Sequence, residues 1–435
     1  MTRKTIYVVD GSRTPFLKAR GKPGPFAASD LATAAGRTLL MRQKFEPTDL
    51  DEVILGAAAP GVDEVNIGRV AALRMGCGQK VPGWTVMRNC ASGMQALDSA
   101  IANIESGRSH LVLAGGVDAL SRAPLLFSEA MTHWFAHFFA AKTPVAKAAH
   151  ATRIPLQQIA PVIGIMKGLT DPNVGLIMGQ TAENLAYRFG ITREQMDELA
   201  VRSHHRVAKA QEKGWFLGGK DGLHAEIVPL FEPSGTVHTD DDGVRKDSSL
   251  ANLAKLKPFF DKKYGNVTAG NSSQVTDGGA WLLLADEDAV KRHKLEPVGR
   301  IVDTQWAALD PAQMGLGPVH AATPILQRHK LGLDDLDAWE INEAFAAQVL
   351  ACVEAWKSDD YCRDELGLDG AMGALDMDKL NVDGGAIALG HPVGASGARI
   401  VLHLLHVLKR TGGKRGIASI CIGGGQGGAM MVEAL

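Results

Sequence analysis

The feature that most constrains this chain is that its two ends are versions of one another. TIYVVDGSRTP near the start parallels GRIVDTQWAALDP at 299–311, and LDEVILGAAAP (50–60) parallels LDAWEINEAFA (336–346). CASGMQALDSAIANIESGRSHLVLAGGVD (90–118) parallels GASGARIVLHLLHVLKRTGGKRGIASICIGGG (394–425), down to the triplets Ala91-Ser92-Gly93 and Ala395-Ser396-Gly397. Three matches in one order favour duplication over chance similarity of short pieces. Each copy reads strand, helix, strand, helix, strand, then a Gly-rich turn, which is an α/β pattern. Two such units are expected to set their loops against each other across a shared cleft.

Between the copies, residues 121–250 have no counterpart. Within them, 183–215 is expected to be helical, with Thr192 and Gln195 spaced as a capping box. Residues 130–170 contain no Asp or Glu but carry Trp134, Phe135, Phe138, Phe139, Lys142, Lys147, Arg153 and Lys167. Apolar and basic together suit a membrane surface or a partner protein; a plain cap over the cleft explains them equally well.

The chain has 435 residues, enough for two or three domains at roughly 150 residues each, with 46% hydrophobic and 22% charged residues. Net charge is −2 with both signs interspersed, which argues against a nucleic-acid surface. No apolar run is long enough to span a bilayer, and MTRKTIYVVDGSRTPF lacks the apolar stretch of a secretory signal. Cys77, Cys90, Cys352, Cys362 and Cys421 are odd in number and unevenly spaced; they read as free thiols in the cytoplasm.

Four stretches carry chemistry. In GWTVMRNCASGMQALDSAIANI (83–104) Cys90 falls at a strand-to-helix turn, where unpaired N–H groups and the helix dipole are expected to lower a thiol pKa. In NVDGGAIALGHPVGASGARI (381–400) His391 stands in a Gly-rich turn before the matching helix, and imidazole is the natural base for a thiol near neutral pH. In SICIGGGQGGAMMVE (419–433) a strand ends at Cys421, and the backbone from Gly423 onward can offer N–H groups to an oxyanion. Gly423, Gly425 and Gly428 also satisfy G-x-G-x-x-G, but the sequence stops at Leu435 without the helix a dinucleotide site requires. In WEINEAFAAQV (339–349) Asn342 and Glu343 follow an apolar strand, where an amide could hold a carbonyl oxygen or a water; a helix cap is the plainer reading. Arg245 and its basic neighbours are candidates for anionic phosphates. Asp240-Asp241-Asp242 reads as a loop charge run, and His403 with His406 as a helix face without a third metal ligand.

NCASGMQA, GHPVGASGAR, CIGGGQG, NEAFA, TAGNSSQVTDGGA and MGQTAEN together resemble the signature blocks of the thiolase family, in that family's order and across essentially the whole chain. The resemblance implies two similar βαβαβαββ halves in a five-layered α/β/α/β/α core, with a loop domain inserted after the first half. The expected domains are 1–120 with 251–296, the loop domain 121–250, and 297–435. It further implies that Cys90 becomes acylated, that His391 activates it and helps hold the thioester oxygen, and that Cys421 exchanges the proton at the α-carbon or the CoA thiol. Asn342 would position a water in one oxyanion hole, and the N–H groups of Cys90 and Gly423 would form another. Ser273, Ala269, Met178 and Gly394 would line the CoA side.

The implied reaction is thiolytic cleavage of 3-ketoacyl-CoA in fatty-acid β-oxidation, with acetoacetyl-CoA formation by an acetyl-CoA acetyltransferase as the alternative. CoA is the cosubstrate, with no metal or organic cofactor, and a homodimer or tetramer is expected. The 130–170 segment is similar to the longer loop of trifunctional-enzyme β subunits, which dock a hydratase/dehydrogenase and approach membranes; those subunits read HEAFA where this chain has NEAFA. Ile177 stands where short-chain biosynthetic thiolases carry His, and Asp118 where many thiolases carry Glu. A decarboxylating ketosynthase would not need Cys421, and a non-catalytic lipid-binding relative would not need Cys90, His391 and Cys421 together.

Overall fold

The computed structural model describes residues 4–218 and 224–435. A ten-stranded sheet runs through them, and its nine longer strands carry the duplication. They are β1 (Ile6–Arg13), β2 (Glu52–Gly56), β3 (Gly83–Val86), β4 (Leu111–Ala119), β5 (Thr276–Ala285), β6 (Gly299–Ala308), β7 (Ala338–Ile341), β8 (Arg415–Ile422) and β9 (Gln426–Ala434). The order is β7-β8-β9-β6-β1-β5-β4-β2-β3. Read outward from the centre, the halves match. β1 pairs antiparallel with β5, β5 antiparallel with β4, and β4 parallel with β2. Likewise β6 pairs antiparallel with β9, β9 antiparallel with β8, and β8 parallel with β7. Ile6 opposite Ile301 and Val8 opposite Gly299 join the halves through a short antiparallel seam. Where the first half has β3, the second has a single bridge between Trp339 and Leu380.

Period-two alternation sends each strand's side chains into two different cores. In β5, Trp281, Leu283 and Ala285 face an outer core under the helices Ala28–Met41 and Ile67–Arg74, while Ala280, Leu282 and Leu284 face a central one. In β8, Ala418, Ile420 and Ile422 enter the same central core, while Ile417 and Cys421 enter an outer core with the helices Gly317–His329 and Ala346–Lys357. Burial on both faces explains why these strands read as near-continuous apolar runs. The helices Ser92–Glu105 and Val393–Thr411 fill the central core, completing the five layers α/β/α/β/α.

The repeated triplets are where those two helices meet. A Cβ on Gly93 would lie 2.7 Å from the Gly394 carbonyl oxygen and 3.0 Å from the Ala398 nitrogen, and one on Gly397 would lie 2.7 Å from the Met94 nitrogen. Only glycine permits this backbone approach, and it brings the two N-terminal turns together.

Topology also explains the insertion. β8 and β9 are joined by the turn Gly423–Gly425, whereas β4 and β5, their counterparts, are separated by residues 120–275. Within that stretch the expected helix is two, Met178–Arg188 and Arg193–Glu212, broken at Gly190 with φ +63°. Thr192 does form the capping box: its hydroxyl accepts from the Gln195 N–H at 3.3 Å, and the Gln195 carbonyl oxygen accepts from the Thr192 N–H at 2.8 Å. Ala123–Thr170 is a compact unit of its own, distinct from the unit of the remaining residues. Its helix Glu129–Ala140 stacks Trp134 on Phe138 and Phe135 on Phe139, while Phe127, Phe139, Val145 and Leu156 are exposed.

Asp240 and Asp242 of the aspartate run are exposed, as a loop charge run should be, but Asp241 is not. Asp241 is buried and takes the fully buried Arg13 guanidinium at 2.7 and 3.0 Å, while Glu226 takes the same group at 2.5 Å. Glu226 also bonds His403 at 2.7 Å. A buried charge is tolerable only when so paired, so the network fixes the 226–241 segment to β1. His403 and His406 are accordingly packed inside.

Candidate active site

Cys90 lies where the sequence placed it, between β3 and the helix starting at Ser92, in a tight turn spanning Asn89–Ala91. Asn89 takes φ +43°, a left-handed conformation asparagine tolerates better than most residues. Ser92 stabilises the turn: its hydroxyl accepts from the Arg88 N–H at 2.9 Å and donates to the Asn89 carbonyl at 2.8 Å. Cys90 is half-buried. Its thiol pKa differs from the expectation of a helix-lowered value. Burial pushes it up, and only then do the N–H of Gly423 and its own N–H pull it back. Desolvation of the thiolate outweighs the helix N-terminus.

Those two N–H groups point to one sulfur. The Gly423 turn is held by the Asn89 side-chain amide, which donates to the Gly423 carbonyl at 2.8 Å. Cys421, fully buried at the end of β8, is pushed well above the usual thiol range by burial and by the adjacent Cys90 charge. It holds its proton at rest. By contrast Cys352 and Cys77 are buried in packed surroundings that push their thiols to about 12 and about 11.

Three further backbone bonds draw the remaining loops together. The His391 N–H donates to the Gln274 carbonyl at 3.0 Å, the Ser273 N–H to Ala344 at 2.9 Å, and the Asn342 N–H to Ser419 at 3.0 Å. The TAGNSSQ loop therefore runs between the NEAFA loop and the His391 turn. Asn342 is fully buried, and neither its Oδ1 nor its Nδ2 has a protein partner among the described residues. Such an amide is costly unless something else completes its hydrogen bonding, which suits a group built to hold water or a carbonyl. Glu343 turns away from it to accept from Ser203, Asn381 and the Ile387 N–H, a structural clamp.

His391 is buried and firmly oriented. Its Nδ1 meets the Ser396 hydroxyl at 2.6 Å, and that hydroxyl donates to the Pro392 carbonyl at 3.1 Å. With its own proton so directed, the serine oxygen accepts from Nδ1–H, leaving Nε2 as the basic nitrogen. Nε2 is buried, with no hydrogen-bond partner among the described residues. Burial, then the nearby Arg399, lowers the imidazole to about 4, so it is neutral at rest. Arg399 pairs with buried Glu340 at 3.0 Å.

The CoA-side candidates scatter more widely. Met178 lies beside the Gly423 turn, its sulfur 3.2 Å from where a Gly423 Cβ would be. Ser273 is half-buried, and Ala269 is exposed on the same loop. Arg245 is exposed; burial, then the charges of Arg245 and Arg20, lowers Lys18, which places three basic groups near one another. Gly394 is buried, and its N–H donates to Asp118 at 2.6 Å. Sequence reasoning missed Ser396, Asn89 and the role of Asp118; the signal for Ser396 was its pairing with Ser92 in the repeated triplet. One cluster has metal-compatible geometry among the described residues, His110 with Asp286 and Asp288. Lys4 at 2.8 Å and His110 at 2.7 Å already pair with Asp286.

Comparison with known proteins converges on one family. "Thiolase, N-terminal domain" matches residues 6–288 and "Thiolase, C-terminal domain" residues 295–434. A 3-ketoacyl-CoA thiolase of Serratia proteamaculans (strain 568) is 38% identical over 98% of this chain and 96% of its own. The mitochondrial trifunctional enzyme subunit beta of Bos taurus is 36% identical over 99% of this chain and 88% of its own. Among solved structures, the Bacillus anthracis acetyl-CoA acetyltransferase superposes with a TM-score of 0.83 at 38% identity, covering 100% of this chain and 99% of that one. Human mitochondrial 3-ketoacyl-CoA thiolase in complex with CoA gives 0.83 at 36% identity, covering 99% and 98%.

Proposed function

The chain belongs to the thiolase family, and on that premise we propose that it cleaves 3-ketoacyl-CoA with CoA through an acyl-Cys90 intermediate. The observation that carries this reading is the sulfur of Cys90, flanked by the N–H groups of residues 90 and 423 and electrostatically coupled to the thiol of Cys421.

In the first half-reaction the Cys90 thiol passes its proton to His391 Nε2, and the thiolate attacks the 3-keto carbon. The N–H groups of Cys90 and Gly423 receive the developing oxyanion, where a fixed dipole acts most strongly in a dry site. The bond between carbons 2 and 3 breaks. The departing enolate, its thioester oxygen held by His391 and by water on Asn342, takes the Cys421 proton and leaves as acetyl-CoA. In the second half, Cys421 thiolate removes the proton of an incoming CoA thiol, which attacks the acyl-Cys90 carbonyl. Acyl-CoA departs, and Cys90 thiolate recovers its proton from His391. A covalent intermediate splits one hard step into two. A neutral imidazole beside two protonated thiols is the resting state these steps begin from, and side chains and backbone N–H groups handle every transfer.

Run backwards from acetyl-Cys90, the same chemistry forms acetoacetyl-CoA; likeness to an acetyl-CoA acetyltransferase supports that second reading. Relative turnover of 3-ketoacyl-CoA substrates from short to long chains separates the two, since a tunnel for long chains gains about 0.8 kcal/mol per buried CH₂.

Met178, Ser273, Ala269 and the 394 turn form the CoA side in this reading, with Arg245 and Lys18 toward its phosphates. The domain scheme has the duplicated halves 1–120 with 251–296 and 297–435 serving one site, with the loop domain 121–250 between them. The exposed aromatic and basic 130–170 segment serves a membrane surface or a hydratase/dehydrogenase partner, in a homodimer or tetramer. Likeness to a trifunctional enzyme subunit beta supports the partner, and five free thiols support a reducing cytoplasm. No helix among the described residues is long and apolar enough to cross a membrane.

The decisive test is mass spectrometry after incubation with acetyl-CoA. One acetyl group is expected on the Cys90 peptide, and none in Cys90→Ala, which should stay folded; label elsewhere, or nowhere, refutes the scheme. Deleting 130–170 is expected to weaken liposome or partner binding more than acetoacetyl-CoA turnover, and unchanged binding removes the docking role.

A further inference from the structure

The helix Val393–Thr411 has Pro392 as its N-cap, with no side-chain acceptor; the Pro392 carbonyl takes the Ala395 N–H at 2.9 Å, but the Gly394 N–H needs an acceptor from elsewhere. The acceptor comes from the other half of the molecule. Asp118, near the end of β4 and fully buried, takes the Gly394 N–H on Oδ2 at 2.6 Å. Its Oδ1 takes the Ala59 N–H at 2.9 Å, and the Ala58 N–H reaches Oδ1 at 3.2 Å and Oδ2 at 3.3 Å. One carboxylate therefore ties the loop after β2, the end of β4 and the first turn of the second-half helix. We propose that Asp118 is a positioning residue of the reaction, fixing the His391-Pro392 turn from the opposite half of the molecule.

The geometry carries this placement. A carboxylate at a helix N-terminus is favourable through the orphan N–H groups and the dipole together. Here it also sets the angle of the segment that holds His391, because Ser396, which orients the imidazole, stands two residues after Gly394 on the same helical turn. Misplacement of a base by an ångström is enough to cost a large factor in rate. The charges facing Asp118 are few. Asp277 on the neighbouring β5 raises it, and Asp118 in turn raises Cys90; the other groups turned toward it are the N–H donors. Burial leads these effects and brings Asp118 to about 6, so the carboxylate is ionised at neutral pH and able to act on the thiol.

The mechanism rests on the thiolase reading, and the test separates the two. In Asp118→Asn the amide places N–H where Gly394 needs an acceptor, and the charge is gone. The kcat for acetoacetyl-CoA thiolysis is expected to fall about tenfold with KM within about twofold. Yet the pH profile of Cys90 alkylation by iodoacetamide should move to lower pH, because the thiolate loses a repelling neighbour. Loosened packing would also acidify the thiol by hydrating it, so Asp118→Glu, which keeps the charge, is measured beside Asp118→Asn and must hold the parental midpoint. A kcat within about twofold of the parent overturns the proposal, and an alkylation midpoint unmoved or raised overturns the action of its charge on Cys90. Should Asp118→Asn not fold, Asp118→Glu retains the charge, and its alkylation midpoint must stay at the parental pH; a downward move overturns the charge role. Absence of thiolysis or of acetyl-Cys90 in the parent protein would instead defeat the thiolase reading, leaving the substrate-free alkylation measurement intact.

Discussion

The turn at Cys90 and the turn at His391 descend from one backbone plan, and the same serine works in each with a different object. Ser92 bonds the Arg88 N–H and the Asn89 carbonyl, holding main chain to main chain. Ser396, its counterpart, bonds the Pro392 carbonyl and the His391 imidazole, holding a side chain. The triplet register then pairs Cys90 with Gly394 and Met87 with His391. The nucleophile and the base are thus not equivalent positions of the two halves. The first half displays a side chain at the last residue before its triplet, and the second displays one three residues earlier. Duplication supplied two glycine-tight helix starts, and divergence assigned one to a sulfur and the other to an imidazole.

If that division holds, paired substitutions should behave asymmetrically. His391→Ala is expected to lower kcat by about 10²–10⁴, the range for losing a general base, while Met87→Ala, its register partner and an exposed side chain, leaves steady-state rates unchanged. Comparable losses in both would abolish the asymmetry. Next in size, Ser396→Ala should reduce kcat roughly ten- to a hundredfold by freeing the imidazole. Ser92→Ala should chiefly reduce stability, by about 1 kcal/mol as for a lost cap, read by denaturant unfolding beside kinetics. A catalytic loss in Ser92→Ala equal to that in Ser396→Ala would mean that both serines serve the site alike.

The glycine that corresponds to the nucleophile sharpens the contrast further. A Cβ at Gly394 would sit 2.5 Å from the Val117 carbonyl oxygen and 3.0 Å from the Ala57 Cα, both rigid backbone. Gly394→Ala should therefore destabilise the protein by about 1–3 kcal/mol through overpacking. Cys90→Ala, at a half-buried position, should leave the unfolding midpoint nearly unchanged. Equal stability of the two variants would show that the second turn yields more readily than its packing suggests.

Much of this was legible beforehand because it was written in local pattern. The repeat predicted matched half-sheets; the Thr192–Gln195 spacing predicted a cap that formed; the strand-to-helix pattern placed Cys90 in a turn, the glycines placed His391 in one, and the apolar run placed Cys421 near the end of a strand. What stayed hidden depends on contacts far apart in sequence. Asp241 looked like a solvated acid because its partner, Arg13, lies over two hundred residues away. The Cys90 pKa was expected to fall because the helix start is local and visible, whereas the burial that outweighs it comes from the rest of the fold. Asp118 appeared only as a departure from a family block, since its donors belong to two other segments.

Two histidines near one helix give the smallest and most general test of how the halves meet. His391 is neutral because burial, then Arg399, lowers it to about 4. His403 is charged: burial lowers it, but Glu226 and Asp383 overcome that and raise it to about 10. Their linkage to stability has opposite sign. A group lowered on folding, as His391 is, binds protons more readily in the unfolded chain, so its contribution is present above pH 6.5 and declines as pH falls from there toward about 4. His406 and His204, also lowered to about 4 by burial, add to the same decline. A group raised on folding, as His403 is, contributes fully below pH 6.5 and loses that contribution as pH rises toward about 10. Melting temperature should therefore be highest near pH 6–7 and fall by a few degrees on either side, the alkaline fall tracing to His403. In His403→Gln, which removes the cation bridging Glu226 and Asp383 and leaves them only Arg13 and Arg410, the alkaline limb should flatten while the acid limb persists. Were the alkaline limb to remain, the charge on His403 would not be what holds the 226–241 segment, β1 and the second-half helix together.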